Sequence, residues 1–247
     1  MFPSLLISFL PRMSLNIAGL QKLTLLDFPG KTACVVFLAG CNFRCHYCHN
    51  SELVLPEKMT KAVISEKEFF QFLEARKGLL DGVCVTGGEP TIHPTLPLFL
   101  QAIRERGFLV KLDTNGNNPS MLSDILKQSL VDYVAMDVKA SHAESYSAFT
   151  GVSIDFHNIQ TSRDLLMNSG IPYEFRTTLV REFHNDHEFS EILRFLQGAE
   201  QYFLQNFRRE GSCLDPEWEN MHGFLEKELL QKKILAEQFV QYAEVRM

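Results

Sequence analysis

Three cysteines, Cys41, Cys45 and Cys48, stand in the run Cys-Asn-Phe-Arg-Cys-His-Tyr-Cys-His-Asn that fills positions 41 to 50. Thiolates bind soft metals and iron-sulfur clusters, and three of them hold a four-iron cluster with one iron left open to a further ligand. That open iron is where chemistry would take place. Two other chemistries fit the same run. Cys45-His46-Tyr47-Cys48-His49 has the spacing of a covalent haem attachment, and the three cysteines with His46 or His49 would make a four-ligand zinc site. The haem reading leaves Cys41 unused and calls for export. The zinc reading gives no purpose to a second motif, Gly87-Gly88-Glu89-Pro90.

Composition narrows the field. The chain has 247 residues, 45% of them apolar, and a net charge of −6. It is long enough to bury a large α/β core, and it lacks the basic excess of a nucleic-acid-binding protein. Six cysteines are too few for a disulfide scaffold at this length. The clustered three therefore point to metal ligation in a reducing cytoplasm, and the scattered Cys34, Cys84 and Cys213 read as small buried side chains. Met1 to Pro11 is apolar but has two prolines, no basic residue ahead of it and no small-residue cleavage site behind it. Neither a signal peptide nor a membrane span is expected there, and Met13 is an alternative start.

The elements that must position these residues follow from periodicity. Ala33 to Leu38 reads as a buried strand running straight into the cysteine loop, and further strands are expected at Val83–Thr86, Phe108–Leu112, Tyr133–Val138, Tyr173–Val180 and Tyr202–Phe207. Helices are expected at Ser65–Leu80 with Ser65 as N-cap, Leu96–Arg106 ended by Gly107, Ser120–Gln128 after Pro119, Asn158–Asn168 and His187–Gln197. Strands alternating with helices imply a parallel sheet, whose ligands gather at the carboxyl ends of the strands. Those ends carry the three cysteines, Gly87 to Pro90, Asp113 to Gly116, Asp137 to Lys139, and Arg176 to Thr178. One site built from all of them is the economical reading. The histidines outside the cysteine run have no ligand spacing and read as surface or core residues.

Taken together, Cys-x3-Cys-x2-Cys with Tyr47 before the last cysteine and Gly-Gly-Glu-Pro at 87 to 90 resemble the radical S-adenosylmethionine superfamily. Leu23 to Gly30, Tyr47 to Asn50, Lys111 to Gly116 and Met136 to Lys139 are similar to its glycyl-radical-enzyme activases, and among these to the longer form of the group labelled anaerobic ribonucleoside-triphosphate reductase activating proteins. The likeness runs from about Gly19 to Phe207. It implies a partial (β/α)6 TIM-like barrel over 19–210, preceded by an extension, 1–18, and followed by a C-terminal helical extension, 211–247. In that extension Asp215-Pro216 would open an amphipathic helix with Trp218, Met221, Phe224, Leu225 and Leu229 on one face, and Val240 to Val245 would continue the helix or add a strand.

The resemblance also implies a mechanism. Cys41, Cys45 and Cys48 would hold a [4Fe-4S] cluster whose open iron takes the amino and carboxylate groups of S-adenosylmethionine; an electron from the cluster then yields a 5′-deoxyadenosyl radical, which takes hydrogen from a glycine of a partner enzyme. Gly87 and Gly88 would let the backbone approach the methionyl group, and Glu89 would accept from its ammonium. Tyr47 would stack near the adenine or shape the cluster loop. Asp113, Thr114 and Asn115, with Asp137 opposite, would face ribose or carboxylate, or hold a monovalent cation. Lys139 and Arg176 would take carboxylate or ribose oxygens; taken singly each reads rather as half of a structural ion pair, and their shared position at strand ends turns the reading toward function. The expected partner is an anaerobic ribonucleotide reductase, with electrons from a flavodoxin or ferredoxin arriving near Arg44 and His46. Another glycyl radical enzyme, such as pyruvate formate-lyase, and a small-molecule substrate are the alternatives.

Overall fold

The computed structural model describes residues 15–48, 50–55, 64–209 and 213–246. The expected start at Met13 and the apolar stretch before it lie outside the described residues, as does His49. Eight strands form one sheet in sequence order: β1 (Ile17–Thr24), β2 (Ala33–Leu38), β3 (Gly82–Gly87), β4 (Leu109–Thr114), β5 (Tyr133–Asp137), β6 (Tyr173–Leu179), β7 (Gln201–Asn206) and β8 (Tyr242–Arg246). β1 runs antiparallel to β2, and all later neighbours are parallel. The order ends at β1 and β8, so the sheet formed by the described residues is a partial barrel that does not close.

The helices are α1 (Ser51–Val54), α2 (Glu66–Glu74), α3 (Leu96–Arg104), α4 (Pro119–Lys127), α5 (Ala143–Thr150), α6 (Phe156–Met167), α7 (Asp186–Phe195) and α8 (Glu226–Ala236). Short polar side chains start several of them. Ser65 and Glu68 form a reciprocal capping box on α2, and Asn118, Asp155 and Asn185 cap α4, α6 and α7. The helices cover the outward-facing strand residues, among them Val36, Val85, Leu112, Met136 and Phe175, in the main core. Inside the barrel, at the amino ends of the strands, Phe28 packs with Ala33, Leu109 and Tyr133 and plugs the bottom.

The six expected strands are β2 to β7, with small shifts at their ends. Two strands were not read as such or were left open. β1 starts at Ile17, ahead of the expected start of the core, and Val240 to Val245 resolves into the parallel strand β8. The C-terminal helix also differs from expectation. Pro216–Asn220 is only a short 3-10 turn, the chain then runs extended, and α8 begins at Glu226. Trp218 is thereby separated from Leu229 and faces the cysteine loop instead. α5 was missed because its apolar residues, Tyr146 and Phe149, are few and are spaced among small polar ones.

Candidate active site

The cysteine loop leaves β2 at Leu38 and is fixed from several sides. The Arg44 guanidinium, through Nη1, donates to the carbonyls of Cys41 and Phe43 at 2.7 and 2.8 Å, and the Arg44 amide donates to Thr150 O at the end of α5. Arg44 is therefore bound back onto the loop that it was expected to offer to an electron donor. Phe43 anchors the loop in the core against Tyr146. The segment after 212 grips the other side: Leu214 N and Asp215 N donate to the carbonyls of Cys48 and His46. His46 Nδ1 lies 3.0 Å from Asp215 Oδ2, and its ring stacks on Trp218 at 5.2 Å.

Gly87 and Gly88 owe their identity to the protein's own backbone. Gly87 sits at φ +127°, and a Cβ on it would overlap the backbone of Leu38; one on Gly88 would overlap the carbonyl oxygen of Gly40. Close approach was expected toward the methionyl group. The approach observed is between the end of β3 and the start of the cysteine loop, sealed by Gly88 N to Leu38 O and Glu89 N to Gly40 O at 2.9 and 2.8 Å.

Glu89, Thr114 and Asn115 form a brace. Glu89 Oε1 accepts from Thr91 N, Thr91 Oγ1 and Thr114 Oγ1, and Oε2 accepts from Asn115 N at 2.6 Å. Burial pushes the Glu89 carboxyl above its usual range against the pull of these donors. Asn115 Nδ2 in turn donates to Asn42 Oδ1 at 2.8 Å, which ties the end of β4 to the cysteine loop.

A ladder of alternating charge crosses β4, β5 and β6. Lys111 bonds Asp113 Oδ1; Arg176 Nη1 bonds Asp113 Oδ2 at 3.1 Å and its Nε bonds Asp137 Oδ1 at 2.8 Å; Lys139 Nζ lies 3.4 Å from Asp137 Oδ2 and 3.0 Å from Tyr47 OH. All four aspartate oxygens thus face protein cations. Burial alone would raise Asp113, yet Arg176 and Lys111 hold its carboxyl down at about 2. Burial likewise opposes charge on Lys139, but Tyr47 and Asp137 keep it well above the usual lysine range, as an ammonium.

Every expected site residue borders one cavity of about 450 Å³ at the carboxyl end of the sheet: Cys41, Cys45, Cys48, Tyr47, Gly87, Gly88, Glu89, Asp113, Asn115, Asp137, Lys139 and Arg176. That volume lies within the range of small-ligand pockets, roughly 300–1,000 Å³. Sequence reasoning missed Lys111, buried at 1% exposure, and Arg246, which reaches the cavity from β8. Lys111 carried a signal: in a strand of period two it shares a face with Asp113. Arg246 carried none, because its strand was not assigned. His184 is a core histidine, as expected, but one that binds the site: its Nε2 lies 3.0 Å from Lys139 O, and its Nδ1 accepts from Val180 N.

The sequence profile of the radical SAM superfamily matches residues 35–196, which include both the cysteine run and Gly-Gly-Glu-Pro. The chain belongs to the radical SAM superfamily. Among its relatives is a protein of Methanocaldococcus jannaschii named as a glycyl-radical enzyme activating enzyme, 29% identical over 95% of this chain and 97% of its own length. A pyruvate formate-lyase-activating enzyme of Clostridium pasteurianum is 31% identical over 55% of this chain and 57% of its own. A 7-carboxy-7-deazaguanine synthase of Neisseria meningitidis is 31% identical over 47% and 48%. In fold, the chain superposes on Streptococcus suis SuiB with a TM-score of 0.64 at 12% identity, covering 86% of this chain and 48% of SuiB.

As a radical SAM enzyme the chain takes a [4Fe-4S] cluster and S-adenosylmethionine, and its residues fit them. Three thiols of one loop meet at a cavity with a buried ammonium in its wall. Burial pushes Cys41 up to about 12 and Cys45 to about 11, so binding iron as thiolates expels their protons. His46, one of the two histidines considered as a zinc ligand, is instead engaged with Asp215 and Trp218.

Proposed function

We propose that this radical SAM enzyme is an activase that generates a glycyl radical on a partner enzyme, and that the partner is an anaerobic ribonucleotide reductase. When bound, the reduced cluster and S-adenosylmethionine supply the one-electron chemistry that abstracts hydrogen. The chain's own residues bind and orient. Cys41, Cys45 and Cys48 take the irons, and Lys139 takes the methionyl carboxylate as a point charge. Arg176 offers a guanidinium held by Asp113 and Asp137. The Glu89 brace keeps the Gly87–Gly88 edge and the cysteine loop in fixed relation, so that cofactor atoms are positioned rather than merely captured.

The observation that carries this reading is the cavity's position in a sheet whose end strands, β1 and β8, do not pair with each other among the described residues. A glycine in a polypeptide has to be brought to the cofactor as part of a loop, and an open barrel side suits that. The likeness along almost the whole chain to a protein named as a glycyl-radical enzyme activating enzyme supports it further. The test is anaerobic reconstitution, reduction with flavodoxin or ferredoxin as donor, and incubation with candidate partners. A glycyl radical in the paramagnetic resonance spectrum is expected with the cognate ribonucleotide reductase. A signal with pyruvate formate-lyase instead would move the assignment to that partner, and no signal with either would count against an activase. The partial likeness to a 7-carboxy-7-deazaguanine synthase favours a small-molecule substrate as the second reading.

A further inference from the structure

We infer that Tyr47 acts in cofactor binding through Lys139, as a positioning residue whose phenol ties the cysteine loop to the ammonium at the end of β5. The inference rests on the reading that Lys139 takes the carboxylate of S-adenosylmethionine. Tyr47 lies between two of the cluster cysteines, and its hydroxyl is 3.0 Å from Lys139 Nζ. Its ring is turned into an aromatic cluster, 4.7 Å from Phe149 and 6.3 Å from Trp218 between centroids. The hydroxyl therefore has a fixed direction, set by packing that involves α5 and the C-terminal segment.

Lys139 is held at every other polar atom as well. Its amide donates to Tyr146 OH at 3.2 Å, its carbonyl is 3.0 Å from His184 Nε2, and Asp137 Oδ2 lies 3.4 Å from Nζ. An ammonium has three donors. Tyr47 and Asp137 take two of them and leave one for an anion in the cavity. Removing the phenol would leave the ammonium drawn to Asp137 alone, out of register with the cysteine loop. A long flexible lysine stem gains most from such restraint, because rotamer entropy otherwise opposes each hydrogen bond it makes.

The experiment compares wild type with Tyr47→Phe, Lys139→Met and the double variant. Iron and sulfide content and melting temperature are measured first, then equilibrium binding of S-adenosylmethionine to the reconstituted proteins by dialysis. Tyr47→Phe is expected to keep full cluster content and to bind about tenfold more weakly, the size of one hydrogen bond to a charged group. In the Lys139→Met background the same change is expected to do nothing further. Binding within twofold of wild type, a full tenfold loss in the Lys139→Met background, or loss of the cluster in Tyr47→Phe would each overturn the inference. A wild-type protein with full cluster that binds no S-adenosylmethionine would overturn the reading of the site itself.

Discussion

Arg246, in the last strand, closes on the fully buried carboxylate of Glu174 in β6, with Nη1 2.7 Å from Oε1 and Nη2 2.8 Å from Oε2. The guanidinium also lies 3.6 Å from the ring centre of Phe203. A carboxylate inside a barrel is tolerated only with such partners. β8 is therefore an electrostatic part of the barrel as well as an added strand. Arg246→Met leaves Glu174 with the Tyr133 hydroxyl and a more distant Arg176. A loss of about 3 kcal/mol in unfolding free energy is expected, since breaking a buried pair strands its other half. Urea denaturation checks this, and adding Glu174→Gln should restore most of the loss.

Gly88→Ala tests the contact between the end of β3 and the cysteine loop. The new methyl group collides with Gly40 O, and relief requires the loop to lift away from Glu89 N. The sheet, whose core lies elsewhere, is expected to remain folded by circular dichroism. Iron bound per chain after anaerobic reconstitution should fall severalfold. Normal iron content in this variant would show that the loop can shift without losing its ligand geometry.

Trp218 joins the C-terminal segment to the cysteine loop by stacking on His46 and on Phe183, the latter at 4.3 Å. It is 5% exposed. Trp218→Ala should cost about 3 kcal/mol of stability, as large-to-small core changes do, and should speed bleaching of the cluster in air, followed by its visible absorbance. His46→Pro makes the control. The imidazole faces Asp215 and Trp218 and does not border the cavity, so full iron content is expected in that variant, whatever the loss of the stack does to stability.

Much of this arrangement was legible in the sequence because it depends on local pattern. β2 matches the apolar run Ala33–Leu38 residue for residue, and Gly87, Asp113 and Asp137 fall at strand ends where turn residues interrupt periodicity. What escaped depends on contacts distant in the chain. Glu89 read as a ligand group because two of its four donors, Thr114 Oγ1 and Asn115 N, come from the end of β4, about 25 residues on, and only the two from Thr91 are local. Arg246 and Trp218 matter only through partners far earlier in sequence, and no spacing announces such a pairing. The mixed apolar spacing from Trp218 to Leu229 imitated one helix, where the chain in fact makes a short turn, an extended stretch and then α8.

The charge ladder makes a prediction about acid. Asp113 is held at about 2 in the folded protein by Arg176 and Lys111, against burial that would raise it, whereas an unfolded aspartate titrates at about 3.9. The folded state therefore binds its proton less readily than the unfolded chain. Its stabilising contribution is complete above the unfolded value and is lost as pH falls through the folded one, on the order of 2 kcal/mol in all. Asp137, lowered too, acts in the same direction, while Glu89, raised by burial, acts in the opposite one. Comparing Asp113→Asn with wild type removes those shared contributions. Unfolding free energies measured by urea from pH 5 down to pH 2 should fall more steeply for wild type, by about 2 kcal/mol over that range. Equal slopes would mean that Asp113 titrates alike in both states, and that the two cations beside it give no net preference for its charge.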